Sequence, residues 1–425
     1  MDTLTKWLPL STILLYGVSA RPLDCAALFK NSQALIKGLE PYASEVHPAK
    51  VTFVPVGNIA YPEPVPDLPE FCRFGAEYNT STTSKFRFEV WLPNSELWNG
   101  RFAFVGNGGD AGGVNYADMA IPLTKYGFAV ASTNTGHNGT GGDGTFAISN
   151  PESQIDFGHR AVHLSTVFAK TVAKSYYGKS SKYNYWIGCS SGGKQGVKSA
   201  QMYPEDFDGV VAGAPAQWWP HLNGFTVHAN LLNANATTPG AVIPPSFFAT
   251  LNKEIVDQCD KLDGVADGII TNSQLVTLKA IYTNWTSSDG EFLFPTFEPG
   301  SEFGWPGTVN GIPFGPAPDF FSYQVLNKTS VQTLQINETE LQRLTKIGDV
   351  TDPGQTNAIN PNLGPFFKRG GKLMQYHEFA DPLIPSGSSL WYYEHDSAIA
   401  LEAQAQLPLA ERASEAHLKV APANP

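Results

Sequence analysis

The sequence predicts an α/β fold built on a parallel sheet covered on both faces, and three observations carry that prediction. Strand-like apolar runs alternate with segments of helical spacing between residues 101 and 213. Two of those runs, "RFAFVGNGG" and "KYNYWIGCSSGG", end in glycine-rich turns. With 42% hydrophobic residues, 425 residues can bury a sizeable core.

The N-terminal residues 1–20 read as a secretory signal. Lys6 supplies the positive charge, an apolar stretch runs from Trp7 to about Tyr16, and Val18-Ser19-Ala20 offers a small-residue cleavage site. That stretch is too short to span a bilayer. No later segment has the length and apolarity of a membrane helix, so the expectation is a secreted, extracellular protein that is free of the membrane after signal removal. In an oxidising compartment the four cysteines, Cys25, Cys72, Cys189 and Cys259, can pair. The sequons at Asn79, Asn138, Asn235, Asn284, Asn327 and Asn337 become glycan acceptors. A net charge of −11, from 28 Lys+Arg against 39 Asp+Glu, speaks against sequence-independent binding of nucleic acid.

Along residues 21–220, "KFRFEVWLP" alternates Phe86, Phe88, Val90 and Leu92, the pattern of a strand with one buried face. "RFAFV" and "GFAVAST" read as buried strands. From Phe157 to Tyr177 the apolar residues Leu164, Val167, Phe168 and Val172 follow helical spacing, and Gly178 is placed to stop the helix. "KYNYWIG" is then a strand, "KQGVKSAQMY" a helix and "GVVAGAP" a further strand. Residues 221–365, rich in Asn, Thr, Gly and Pro, break the pattern and read as an inserted subdomain or a set of long loops. It resumes over 366–395 with "GKLMQYHEFADPLIP", a strand followed by a loop. Residues 396–425 form a tail.

Gly188-x-Ser190-x-Gly192 follows a strand and precedes a helix, the context of a nucleophile elbow. The serine occupies a sharp turn, and the flanking glycines keep side chains out of its approach. The following helix directs its N-terminal amides toward the reacting centre. The N–H of Ser191 is one candidate oxyanion donor. The Asn107-Gly108-Gly109 loop offers the second, through Gly108 and Gly109, because glycine lets main-chain N–H groups come close. The competing reading is a Gly/Ser-rich turn without chemistry. A serine hydroxyl needs a base, usually oriented by a carboxylate. Asp381, just after the strand-like "KLMQYHEF", is the candidate acid; alternatively it is a solvent-facing Asp-Pro turn. "CDKLDGVADGII" collects Asp260, Asp263 and Asp267, hard oxygen ligands that suit calcium, though the spacing is not that of an EF-hand. A solvated acidic turn is the other reading.

The chain resembles the fungal tannase and feruloyl esterase family of secreted serine esterases. The segments that carry the resemblance are "FCRFGA", "FEVWLP", "WNGRFAFVGNGG", "STNTGHNG", "DFGHRAVH", "YNYWIGCSSGGKQG", "YPEDFDGVVAGAPA", "CDKLDGVADGII" and "EFADPLIP", in family order from Cys25 to Glu394. The resemblance implies an α/β-hydrolase core with a lid inserted after the sixth strand, over 221–365. It implies cleavage of phenolic-acid esters, feruloyl or galloyl, from small esters, plant cell wall or tannin. Ser190 would be the nucleophile, Asp381 the acid, and Cys25 the partner of Cys72. A structural calcium ion in the lid would be held by Asp260, Asp263 and Asp267 and by the carbonyls of Val265 and Ile269.

Two departures stand against this. The family's longer, cysteine-containing stretch after the acidic loop is missing, so Cys259 lacks its usual partner. The Pro-Gly-x-x-His-Cys motif that supplies the catalytic histidine is also missing. After "WYYEH" the C-terminal part reads as truncated or altered, and Cys189 loses its partner. His417 follows Asp381 at a fitting distance but in unrelated surroundings, and His395 follows too closely. His137, His159 and His163 fall where packing or hydrogen bonding is their expected work. Loss of the base from a serine–histidine–acid triad lowers turnover on the order of a millionfold. The expectations are therefore a phenolic-ester hydrolase that is inactive as written or, alternatively, a non-catalytic secreted protein that binds aromatic ligands.

Overall fold

The computed structural model describes residues 22–234, 241–260, 272–329, 336–394 and 419–420. The signal segment, Asp263, Val265, Asp267, Ile269, His395 and His417 lie outside the described residues, and of Cys259 and Asp260 only the backbone is described.

Helix α1 (Cys25–Leu35) starts at Asp24, whose carboxylate accepts the Ala27 amide at 2.7 Å, a helix cap. Strands β1 (Leu39–His47), β2 (Phe71–Asn79), β3 (Lys85–Pro93) and β4 (Arg101–Val105) follow. A disulfide joins Cys25 to Cys72 and so ties α1 to β2. Next come α2 (Tyr116–Tyr126), β5 (Ala129–Thr133), α3 (Pro151–Ile155), α4 (Ala161–Tyr177), β6 (Tyr183–Cys189), α5 (Ser191–Met202) and β7 (Gly209–Gly213). α4 ends at Gly178, which adopts the left-handed conformation with φ 69°. α4 is preceded by a π-helical turn over Asp156–Arg160, so the helical stretch begins at Pro151, ahead of the Phe157 expected from spacing. In β3, Phe86 and Phe88 are buried while Lys85 and Arg87 are exposed. From Glu89 onward both faces are covered.

After β7 the chain runs through α6 (Trp219–Ala234), α7 (Pro245–Asp260), α8 (Asn272–Ile281) and the antiparallel pair β8 (Trp285–Thr286) and β9 (Phe292–Phe294). It continues through α9 (Trp305–Thr308), α10 (Pro316–Asp319), α11 (Glu338–Thr351) and α12 (Gly364–Lys368). It returns to the sheet as β10 (Lys372–Tyr376), with β11 (Lys419–Val420) beside it. Counted from β2, this insertion follows the sixth strand. It buries an aromatic cluster that includes Trp219, Phe225, Phe248, Trp285, Phe294, Trp305 and Phe320.

The sheet has the order β1-β2-β3-β5-β4-β6-β7-β10-β11. β1, β2, β3 and β5 pair antiparallel, whereas β5, β4, β6, β7, β10 and β11 run parallel. From β4 the chain crosses to β5 on one side, and then returns to lay β6 on the other side of β4. The strand order therefore switches between β4 and β6, where Val105 pairs with Ile187. In an open α/β sheet, the crevice beyond the strand ends at such a switch is the binding position. Both glycine-rich turns leave the sheet there.

Candidate active site

Ser190 joins β6 to α5 with φ 60° and ψ −124°, a positive φ that costs a non-glycine residue about 1–3 kcal/mol. Main-chain bonds impose it. The Ser190 amide donates to the Gly213 carbonyl at 2.9 Å, and the Ser190 carbonyl accepts from the amides of Lys194 at 3.0 Å and Ala216 at 3.1 Å. Side chains at the flanking glycines would not fit. A Cβ on Gly188 would lie 2.5 Å from the Gly192 carbonyl oxygen, and one on Gly193 2.5 Å from the Gly213 carbonyl oxygen. Ser190 itself is half-buried.

The loop after β4 packs directly on this turn. A Cβ on Gly106 would lie 2.6 Å from Gly192 Cα. The Gly106 amide donates to the Ile187 carbonyl at 3.1 Å, and the Asn107 amide to Gln195 Oε1 at 3.0 Å. Asn107 Nδ2 donates to the carbonyls of Gly113 and Thr133. Asn107, at the head of the candidate oxyanion loop, is thus a brace. The Gly108 amide is engaged, donating to Tyr61 Oη at 2.9 Å. Gly109, with φ 54°, has an amide without a hydrogen-bond partner among the described residues. Ser191 is the first residue of α5, so its N–H has no acceptor within the helix. The Gly109 and Ser191 amides are the two donors this arrangement leaves available. Tyr61 is a site residue that sequence reasoning missed. Burial pushes its phenol up to about 12, against the opposing effect of the Gly108 hydrogen bond. Nothing local in "NIAYPEP" signals a role beside a loop 47 residues away.

Asp381 follows β10, which lies next to β7; the Ala214 amide donates to the Tyr376 carbonyl at 2.8 Å across that boundary. Its Oδ1 accepts the amides of Leu383 and Ile384, both at 2.9 Å, and its Oδ2 lies 3.5 Å from His377 Nε2. Burial alone would raise this carboxyl, but hydrogen bonding from His377 and from the two amides outweighs it and holds the group below the usual carboxylate range. Cys189, an exposed free thiol, is pushed up by burial and then by the charges of Asp381, Asp118 and Glu378.

The described imidazoles have other partners. His377 Nδ1 bonds Ser389 Oγ at 2.7 Å, and its Nε2 bonds the Ile384 carbonyl at 2.8 Å. His159 bonds Tyr203 Oη, His163 bonds Asp206, and His221 bonds Asp349 and the Leu293 carbonyl. His137 Nδ1 accepts the Gly139 amide, and the ring stacks on Phe146. Among the described residues none is hydrogen-bonded to Ser190.

Known proteins share this arrangement of chain. The family model described as "Tannase and feruloyl esterase" matches residues 74–289. A probable feruloyl esterase B-1 of Aspergillus oryzae is 35% identical over 386 residues, covering 81% of this chain and 69% of that protein. The crystal structure of feruloyl esterase B from Aspergillus oryzae superposes with a TM-score of 0.78 at 32% identity, over 88% of this chain and 78% of that one. The tannin acyl hydrolase from Aspergillus niger, at 19% identity and a TM-score of 0.71 over 92% of this chain and 80% of its own, shares the fold. On the family match and the identity over most of both chains, this protein belongs to the tannase and feruloyl esterase family.

Proposed function

We propose that the chain is a secreted carboxylic ester hydrolase that cleaves phenolic-acid esters through an acyl-enzyme on Ser190. The observation that carries this reading is the strained Ser190 turn at the β4–β6 switch point, packed against a loop whose Gly109 amide has no hydrogen-bond partner among the described residues. Ser190 Oγ attacks the ester carbonyl and passes its proton to an imidazole, which would have to come from His395 or His417, since no described one is bonded to Ser190. The carbonyl oxygen takes up negative charge facing the amides of Gly109 and Ser191. The C–O bond to the alcohol breaks, the alkoxide takes the proton, and water then releases the acid by the same steps in reverse order. Asp381 would orient and charge-stabilise the imidazole. The names of the relatives, feruloyl esterases at 32–35% identity, support feruloyl over galloyl esters.

A second reading, a non-catalytic binder of aromatic acids, is favoured by one observation: no described imidazole bonds Ser190. A fluorophosphonate separates the two. Adduct formation at Ser190, lost in Ser190→Ala, together with release of acid from methyl ferulate, supports the hydrolase. Binding of ferulate without adduct formation supports the binder.

The same reading includes a structural calcium ion. Its support is the donor chemistry of "CDKLDGVADGII": the carboxylates of Asp260, Asp263 and Asp267 with the carbonyls of Val265 and Ile269 make a set of hard oxygens. Chelation should lower the thermal midpoint, and calcium should restore it where magnesium does not. An unchanged midpoint would remove the ion from the reading.

A further inference from the structure

The turn that carries Gly108 and Gly109 is held from outside by a second loop, residues 139–144. The Asp110 amide donates to the Gly141 carbonyl and the Gly112 amide to the Gly139 carbonyl, each at 2.9 Å. The approach is close. A Cβ on Gly109 would lie 2.3 Å from the Gly141 carbonyl oxygen, and one on Gly112 2.3 Å from His137 Nδ1. The second loop is also braced internally. The Asp143 amide closes a turn on the Thr140 carbonyl at 3.2 Å, and Asp143 Oδ1 accepts the amide of Thr145 at 3.0 Å and its hydroxyl at 2.5 Å.

That loop is in turn fastened to the inserted segment. The Gly144 amide donates to Asp319 Oδ2 at 2.8 Å, across 175 positions of sequence. A Cβ on Gly144 would lie 2.6 Å from Asp319 Cβ, and one on Gly315 3.3 Å from Gly142 Cα, so the two segments meet closely around that bond. Asp319 sits on a firm base. It ends α10, and Ala317 before it and Phe320 and Phe321 after it are buried in the aromatic cluster of the insertion. A hydrogen bond from an amide to a carboxylate is roughly twice as strong as one between neutral groups. A continuous run of contacts thus leads from the core of the insertion through Asp319, Gly144, Gly141 and Asp110 to Gly109. We propose that Asp319 is a positioning residue that latches the insertion onto the 139–144 loop and through it fixes the Gly109 amide. It touches no reacting atom. The latch stands on these contacts, and only its catalytic consequence rests on the hydrolase reading.

Hydrogen exchange followed by mass spectrometry on the full chain tests it. In Asp319→Ala, exchange of the 106–113 and 139–145 peptides should rise roughly tenfold or more, while the α11, β2 and β3 peptides keep their protection. Asp319→Asn, which keeps an acceptor oxygen, should stay within about threefold of the parent. Gly144→Ala probes the same contact from the other side. Its φ of −88° suits alanine, but the added Cβ meets Asp319, so the same peptides should lose protection. Unchanged protection of 106–113 in Asp319→Ala, or a loss in Asp319→Asn as large as in Asp319→Ala, overturns the latch. Where Asp319→Ala loses α11 protection and so the fold of the insertion, Gly144→Ala is read by the same criterion. Loss of α11 protection in both variants also overturns the latch, since the contact then serves the insertion's own folding. The second readout is phosphonate labelling of Ser190. The rate constant at saturation should fall on the order of tenfold in Asp319→Ala with inhibitor affinity unchanged, and recover in Asp319→Asn. An unchanged rate constant overturns the positioning role. Absence of labelling in the parent protein overturns the hydrolase reading instead, and exchange alone then decides the latch.

Discussion

Gly188→Ala is the sharpest probe of the serine turn, because its cost follows from three close contacts. A Cβ at position 188 would lie 2.5 Å from the Gly192 carbonyl oxygen, 2.6 Å from its carbon and 2.9 Å from Trp186 Nε1. Reaching an ordinary contact of about 3.4 Å needs a shift of roughly 0.9 Å against backbone and a buried indole. Forced overpacking of this kind costs about 1–3 kcal/mol. The same shift breaks the Trp186 Nε1 donation to the Gly192 carbonyl, 2.9 Å long and buried, at about 0.5–1.5 kcal/mol. The sum is roughly 1.5–4.5 kcal/mol. Gly108→Ala is the control. Its Cβ would meet nothing within 4 Å and its φ is not positive, so the expected change is within about 0.5 kcal/mol. Urea unfolding followed by far-ultraviolet circular dichroism reads both. At a slope of about 3 kcal/mol per molar, the Gly188→Ala midpoint should fall by roughly 1 M, while Gly108→Ala overlays the parent. Coincident midpoints for Gly188→Ala and the parent, or equal losses in the two variants, would refute the reasoning from close packing at the turn.

Two further outcomes are expected. Replacing Cys25 and Cys72 by serine opens a link across a separation of 47 residues, which on chain-entropy grounds costs roughly 4 kcal/mol; an unfolding midpoint unchanged by the replacement would contradict that. Stability should also fall with acid through two histidines. Burial pushes His137 and His159 down from 6.5 to about 4, with neighbouring cations adding to the effect at His159. Both are neutral in the fold, and the unfolded chain protonates first as pH drops. Their contribution is therefore complete above pH 6.5 and lost as pH falls toward 4, up to about 3 kcal/mol each. His159→Gln should shrink the difference in unfolding free energy between pH 7 and pH 4.5 by about 2–3 kcal/mol, and an undiminished difference would place the acid sensitivity elsewhere.

The parts of the fold that the sequence made legible are those whose signal is local. "KFRFEVWLP", "RFAFV" and "GVVAG" carry their burial in their own alternation or continuous apolarity, and each is a strand. β1 was not legible, because "LEPYASEVH" contains Pro41 and exposes residues on both faces, as an edge strand does. The insertion was opaque for a different reason. Trp219, Phe248, Trp285 and Trp305 belong to four separate short segments, and only the tertiary fold collects them. The site divides in the same way. Gly188, Ser190 and Gly192 announce their turn within five residues. Tyr61 on the Gly108 amide, and Gln195 on the Asn107 amide, are pairings between distant segments that no spacing encodes.

The strain at Ser190 then has a definite structural origin. A φ of 60° at a serine is tolerated because three main-chain bonds, from Lys194 in α5 and to and from the stretch after β7, hold the turn from both sides. The glycines keep the packing close: a side chain at 193 would press on Gly213 and Pro215, one at 188 on the Gly192 carbonyl and Trp186, and one at 192 on Gly106 and Asn107 of the loop after β4. Because β4 is the other neighbour of β6, the same close approach that strains the serine draws Gly106 onto Gly192. A single packing constraint thus sets a serine on a tight bend and lays the glycine-rich loop after β4 against it. If the proposed roles hold, any variant that relaxes the turn should weaken the attack by Ser190 and the oxyanion donors together.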